Sequence, residues 1–244
     1  EIINLLEWLK EYNLQNIRTE KIGFYGLDVY SLWESMDEII RYLEKTNAPL
    51  LVEAKKVFAC FEPFDRNHES YAVSAGYLSN NCIKEALLLL AKIQKNKWKF
   101  EDEQESNLNM EVNALVTAHA EEYYRTMVAS DNESWNVRDK HMVDALNSVK
   151  NFYGDNAKGI IWEHNTHVGD ARATDMKNEG MVNVGQLVRE ANDEDEVFIV
   201  GFGTYSGTVI AATEWGKDHE IMNVPPAQHG SWEYLMHKAD ASNK

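Results

Sequence analysis

Ile2, Ile3, Leu5, Leu6, Leu9 and Tyr12 recur with a period of about 3.6 residues, which predicts an amphipathic helix at the start of the chain. Lys21 to Gly26 places Ile22, Phe24 and Tyr25 between charge and glycine, the pattern of a short buried strand. Ser31 and Glu34 have capping-box spacing and predict a helix through about Glu44. Pro49 suits the first position of another helix, whose region supplies Val57, Phe58, Phe61 and Phe64 before a break around Pro63. Ile83, Leu87, Leu90 and Ile93 form a further stripe. The charge-rich stretch from Gln94 to Asn109 reads as a solvated helix end and surface loop.

Two helices follow with polar residues among their apolar positions. Val112, Leu115, Val116, His119, Tyr123 and Met127 share one face, so His119 reads as a core histidine. Met142, Ala145, Leu146, Val149 and Tyr153 form the second stripe, with Arg138 one turn earlier on the same side. A buried guanidinium needs a carboxylate or an anionic ligand, for which Glu121, Glu122, Asp139 or a substrate would serve.

From Gly154 the texture changes to predicted strands over 158–163, 196–203 and 207–213. A helix beginning near Asn183, with Gln186 at its capping-box position, separates the first two and implies a parallel pair with a right-handed crossover. Tyr205 and Ser206 are a short enough connection for an antiparallel hairpin between the last two. The expectation is a single α/β domain over 1–244, with a mainly helical portion at 31–153 and a strand-rich portion at 154–244 built on a mixed, partly parallel sheet. Glu1 enters directly into the first amphipathic pattern, which reads as an internal fragment with any targeting sequence lying outside it.

Composition narrows the function classes. The 244 residues are 44% hydrophobic and 11% aromatic, enough for a substantial core. A net charge of −16 opposes binding to nucleic acid, which requires clustered Lys and Arg. No apolar run approaches the roughly 18 to 20 residues of a membrane span, so no membrane partner is expected. Cys60 and Cys82 are too few for a disulfide framework and show no metal-finger spacing, which fits a reducing, cytoplasmic setting. Oligomeric state is not legible at this level.

The chemistry concentrates after Ile160-Ile161-Trp162, where Glu163, His164, Asn165, Thr166, His167 and Asp170 begin at a predicted strand end, the usual place for a ligand in an open α/β sheet. Imidazole titrates near neutrality, so His164 and His167 can take a proton from water and return it to a leaving group. The alternatives are two hydrogen-bonded loop histidines, or a metal pair completed by Glu163 or Asp170, although the helical HExxH pattern is absent. A serine nucleophile lacks its elbow, because Tyr205 occupies the serine position in Gly203-Thr204-Tyr205-Ser206-Gly207. Cys60 and Cys82 lie in apolar helical settings that disfavour a thiolate. Gly201, Gly203 and Gly207 have no helix opening behind them to cradle a phosphate. Water remains as the attacking group.

Trp162-Glu163-His164-Asn165-Thr166-His167-Val168-Gly169-Asp170 resembles the W-x-H-N-x-H-V-G signature of the erythromycin esterase family, whose members also carry the name succinoglycan biosynthesis protein. Phe24 to Asp28, Tyr123-Tyr124-Arg125, Trp135-Asn136-x-Arg138-Asp139, Asn183 to Arg189, Gly207 to Ala212 and Pro225-Pro226-Ala227 extend the resemblance along nearly the whole chain. It implies an α/β fold and hydrolysis of a carboxylic ester or lactone without a metal or cofactor, in known members the macrolactone of erythromycin. A small-molecule ester or macrolide-like compound is then the expected partner. The family's proposed base lies in a G-E-x-x-H-G segment that this chain does not contain. His164 and His167 carry over as catalytic candidates, with Arg138, Glu121, Tyr124, Asn165 and Asp170 as supporting or substrate-binding residues. A different class of reading is a non-catalytic carbohydrate-binding protein of polysaccharide synthesis, with Trp33, Trp135 and Trp232 stacking on sugars.

Overall fold

The computed structural model describes residues 2–17, 21–46, 48–95, 104–214 and 217–239. The charged residues 96–103 lie outside them. The first pattern forms α1 (Ile2–Gln15), and the predicted Ser31 boundary opens α2 (Leu32–Lys45). Ser31 occupies the N-cap position, yet its side chain makes no cap bond and its hydroxyl meets Ser35 Oγ at 3.3 Å instead. Pro49 lies in the turn before α3 (Leu51–Phe58), and Pro63 sits in a 3-10 turn followed by α4 (His68–Leu78). In α5 (Ile83–Lys95) the buried face is Ala86, Leu89, Leu90 and Ile93, which leaves Leu87 of the predicted stripe exposed.

The two long helices α6 (Gln104–Met127) and α7 (Asp131–Tyr153) organise the rest. α6 packs against α2, α4, α5 and α7 at once. Ala114, Ala118 and Ala120 are all buried on it, because a helix enclosed by four neighbours needs small residues on several sides. The single apolar face predicted for α6 is therefore narrower than the real one. His119 Nδ1 lies 3.0 Å from His141 Nδ1 across the α6–α7 seam, so one ring accepts and is neutral. Burial pushes His141 down to about 3, helped by its neighbouring imidazole, and burial lowers His119 as well.

Beyond Gly154 come α8 (Asn165–Val168), α9 (Val184–Ala191), β1 (Gly207–Ala211), β2 (Glu220–Val224) and α10 (Trp232–Ala239). β1 pairs antiparallel with β2 in the register Gly207↔Val224 to Ala211↔Glu220. The mixed, partly parallel sheet expected from the sequence is not present among the described residues: the fold is mostly helical, with one two-stranded antiparallel sheet. The predicted strands at 21–26, 158–163 and 196–203 form no ladder there. Several of their apolar residues are uncovered, with Ile160 97% and Phe198 90% exposed, since a strand pattern becomes a sheet only when another backbone lies beside it. Asn side chains substitute at two places. Asn13 bonds both the N–H and the carbonyl of Ile22, and Asn165 does the same to Phe202.

Cys60 and Cys82, expected as free thiols, form a disulfide that ties the end of α3 to the start of α5. That pairing removes the thiol count as an argument for a reducing compartment. No helix among the described residues is long and apolar enough to cross a membrane.

Three expected outcomes follow from these contacts. Replacing both cysteines with alanine should lower unfolding stability by about 3 kcal/mol in denaturant titration, the chain-entropy value for a bridge of this span. Because burial depresses His141 below its unfolded value of about 6.5, the stability it contributes is complete above that pH and is lost as pH falls toward 3. His141→Phe should flatten this acid limb in urea melts run across the pH range. A Cβ added at Gly185 would stand 2.0 Å from the Gly169 carbonyl oxygen and 2.3 Å from that of Val168. Gly185→Ala should therefore cost at least about 1–3 kcal/mol by the same titration.

Candidate active site

The first turns of α7 hold the segment that carries the histidines. Trp135 Nε1 donates to the Val182 carbonyl at 2.8 Å, and Asn136 accepts from the Val182 N–H at 2.8 Å while donating to the Gly180 carbonyl. Asn183 continues the clamp by accepting from the N–H groups of Ala171 and Gln186 and donating to the Thr166 carbonyl. The predicted cap at Asn183 is thus real, but the Gln186 side chain reaches forward to Glu190 rather than back to it. α8 and the start of α9 are fixed against α7 by side-chain bonds to backbone, the device available where no strand pairing exists.

His167 is buried at the centre of this clamp. Its Nδ1 lies 3.0 Å from both carboxylate oxygens of Asp139, and its ring stacks on the Trp135 indole at 4.5 Å between centroids with 4° between planes. Asp139 also accepts from the Val184 N–H at 3.0 Å. Burial raises the Asp139 carboxyl, while His167 and the Val184 N–H oppose that rise. An acceptor already taking one N–H assigns the His167 proton to Nδ1 and leaves Nε2 with a free lone pair.

His164 is arranged the other way round. It caps α8, with Nδ1 accepting from the Thr166 N–H at 3.3 Å and lying 3.0 Å from the Thr166 hydroxyl, and its ring is exposed. That bond assigns the His164 proton to Nε2. One imidazole therefore presents a base and the other a donor.

Arg138 finds its partner in Asp28, which the sequence does not single out as its counter-charge. Its Nε and Nη2 donate to the two Asp28 oxygens at 2.9 and 2.7 Å, and its guanidinium lies 4.8 Å from the Tyr30 ring centroid. Burial pushes Asp28 up, but the Arg138 bonds and the Val29 N–H outweigh it and hold the carboxyl below the usual range. None of the carboxylates named for Arg138 from sequence, Glu121, Glu122 or Asp139, makes this bond.

The remaining candidates disperse. Glu121 is buried against α4, accepting from the Tyr71 hydroxyl at 2.6 Å and from Arg125, and makes no hydrogen bond to the histidine segment. Tyr124 donates to the Tyr30 carbonyl at 3.2 Å and stacks on His68, one step behind Arg138. Asn165 anchors Phe202. Asp170 caps the following 3-10 turn and pairs with Arg172, which holds its carboxyl down. Trp33 is buried in the core edge-on to Phe61, Trp135 is committed to His167, and Trp232 is exposed on α10, so they make no common sugar platform.

A surface hollow lined by Trp33, Met36, Asp37, Phe58, Phe61 and Arg66 contains none of the histidine-segment residues. Among the described residues no group of three or more His, Cys, Asp or Glu side chains converges as a metal site would require.

Comparison with known proteins places these observations. In structure the chain is similar to a succinoglycan biosynthesis protein, with a TM-score of 0.79 at 20% identity, over 98% of this chain and 57% of that one. It is similar too to a protein from Bacillus cereus, with a TM-score of 0.75 at 18% identity and the same coverage. The chain thus spans a little over half the length of the structures it matches. The erythromycin esterase family model matches residues 1–244. The chain belongs to the erythromycin esterase family.

Proposed function

We propose that this chain carries part of the active site of an esterase-like hydrolase, in which His167 activates water to attack a carboxylic ester or lactone. The observation that supports it is the His167–Asp139 contact, a buried carboxylate against one ring nitrogen of a histidine locked between Trp135 and α9. In such a pair the carboxylate fixes the tautomer, and stabilises the imidazolium that forms when the opposite nitrogen takes a proton. His167 Nε2 removes a proton from water, and the oxygen adds to the ester carbon. The carbonyl oxygen gains negative charge, which the exposed His164 Nε2–H is suited to meet. Arg138, committed to Asp28, acts on position: it ties the third residue of the α7 clamp to the 27–30 segment. Asn165 and Asp170 shape the segment, and Tyr124 supports Tyr30 beneath the guanidinium. A small ester or macrolide-like lactone is the substrate class, reached without a cofactor.

The full-length protein, assayed by acid release against alkyl esters, aryl esters and macrolactones, tests this. His167→Asn should lower kcat on the order of 10²–10⁴-fold. Asp139→Asn should cause a loss in that range, because an amide stabilises the wrong tautomer. His164→Gln should cost on the order of 10²-fold, the scale of one lost oxyanion donor. Turnover unchanged in His167→Asn would end the proposal.

A further inference from the structure

One ionisable group beside His167 has no part in the steps above. Glu163 immediately precedes His164, and both of its carboxyl oxygens are sealed from solvent without a hydrogen-bond partner among the described residues. The residue as a whole is partly exposed, so this carboxyl is turned inward beneath the surface rather than set deep in the core. The charged and titratable groups acting on it are His167, Asp139, Asp28 and Arg138. Two of these direct donors elsewhere, and neither bonds Glu163. Arg138 gives Nε and Nη2 to Asp28, and His167 gives Nδ1–H to Asp139. A carboxylate withdrawn from water with no N–H to accept is a costly species, and two other acids nearby increase the cost. The neutral acid is the form that this surrounding favours. Consistent with this, burial is the main cause pushing Glu163 up to about 7, with Asp139 and Asp28 adding to it and His167 and Arg138 opposing.

Resting on the hydrolase reading above, we infer that Glu163 is a further catalytic residue, the general acid that protonates the departing alcohol once substrate binding uncovers its carboxyl. The two groups divide the proton work. His167 Nε2 takes a proton from water as the C–O bond to the new hydroxyl forms. When the bond between carbon and the leaving oxygen breaks, its electron pair goes to that oxygen, which takes the Glu163 proton. The proton on His167 then passes to the Glu163 carboxylate, restoring both groups. The sum is ester plus water giving acid plus alcohol, with no other reactant. An acid and a base of opposite resting protonation, set apart by environment, is the arrangement this chemistry requires near neutral pH.

The test uses Glu163→Gln in the full-length protein with two independent readouts. The first is leaving-group dependence. An alkyl alkoxide needs a proton to depart and an activated aryl oxide does not, so Glu163→Gln should lower kcat on alkyl esters at least about tenfold more than on p-nitrophenyl esters. A mutation that merely loosened the fold would lower both alike, and equal losses would overturn the inference. The second readout is infrared difference spectroscopy across pH 5 to 9. The wild type should show a protonated-carboxyl band that titrates near neutrality and is missing from Glu163→Gln. Absence of that band at pH 6 would also overturn it. Because the raised acid penalises the folded state as pH climbs through its range, wild type should lose melting temperature relative to Glu163→Gln between pH 5 and 8. A constant difference would count against the inference. Failure of the base reading is separately visible, as unchanged turnover in His167→Asn.

Discussion

A single buried carboxylate joins the two halves of this chain. Asp139 projects from α7 and accepts at once from the His167 ring and from the Val184 N–H at the start of α9. The first bond fixes a side chain and the second fixes a backbone, so the geometry of the proposed base and the packing of the segment behind it are one constraint. An Asp with no exposed surface, raised by burial, persists as an acceptor only while both donors are present. The close approach of α9 to the Gly169 carbonyl belongs to the same arrangement. With hydrogen at Gly185 in place of a side chain, α9 moves near enough for its first N–H to reach Asp139.

The neighbouring charges obey a similar economy of donors. Near His167, Asp28 takes Arg138, and Asp139 takes His167 and Val184. His119 and His141 solve burial without any carboxylate, by bonding to each other and giving up charge. Glu163 is left over after these pairings, and a group left over in a low-dielectric site changes protonation before it changes place. Burial without a donor thus favours its neutral form.

What the sequence disclosed is what short-range physics controls. Helix periodicity marks α1, α5, α6 and α7, capping-box spacing marks α2, and the motif after Trp162 points to His167 and His164 without any knowledge of their contacts. The partners of those groups were not legible. Arg138 reaches 110 positions back to Asp28, and His167 reaches 28 back to Asp139, distances at which spacing carries no information. Asp139 was within view, as the last residue of Trp135-Asn136-x-Arg138-Asp139, but it was weighed as a partner for its neighbour Arg138. The i to i+1 geometry of a helix points adjacent side chains apart, and that alone argued for a different partner. The sheet failed for the same reason: the apolar runs at 158–163 and 196–203 record a local preference, whereas a ladder requires a second backbone that these segments lack among the described residues.

The two histidines of the motif show why residue type alone underdetermines chemistry. Both rings use Nδ1 locally, and in both the opposite nitrogen is what remains for a substrate. The difference lies in the partner. His167 faces a carboxylate and must donate, whereas His164 faces the Thr166 N–H at the free first turn of α8 and must accept. One neutral imidazole is thereby suited to act as a base and the other as a donor. A three-residue spacing across a helix start produces this division, because the N-cap position meets orphan N–H groups while the residue one turn on faces the interior. Catalytic asymmetry between His164 and His167 is then a consequence of where α8 begins.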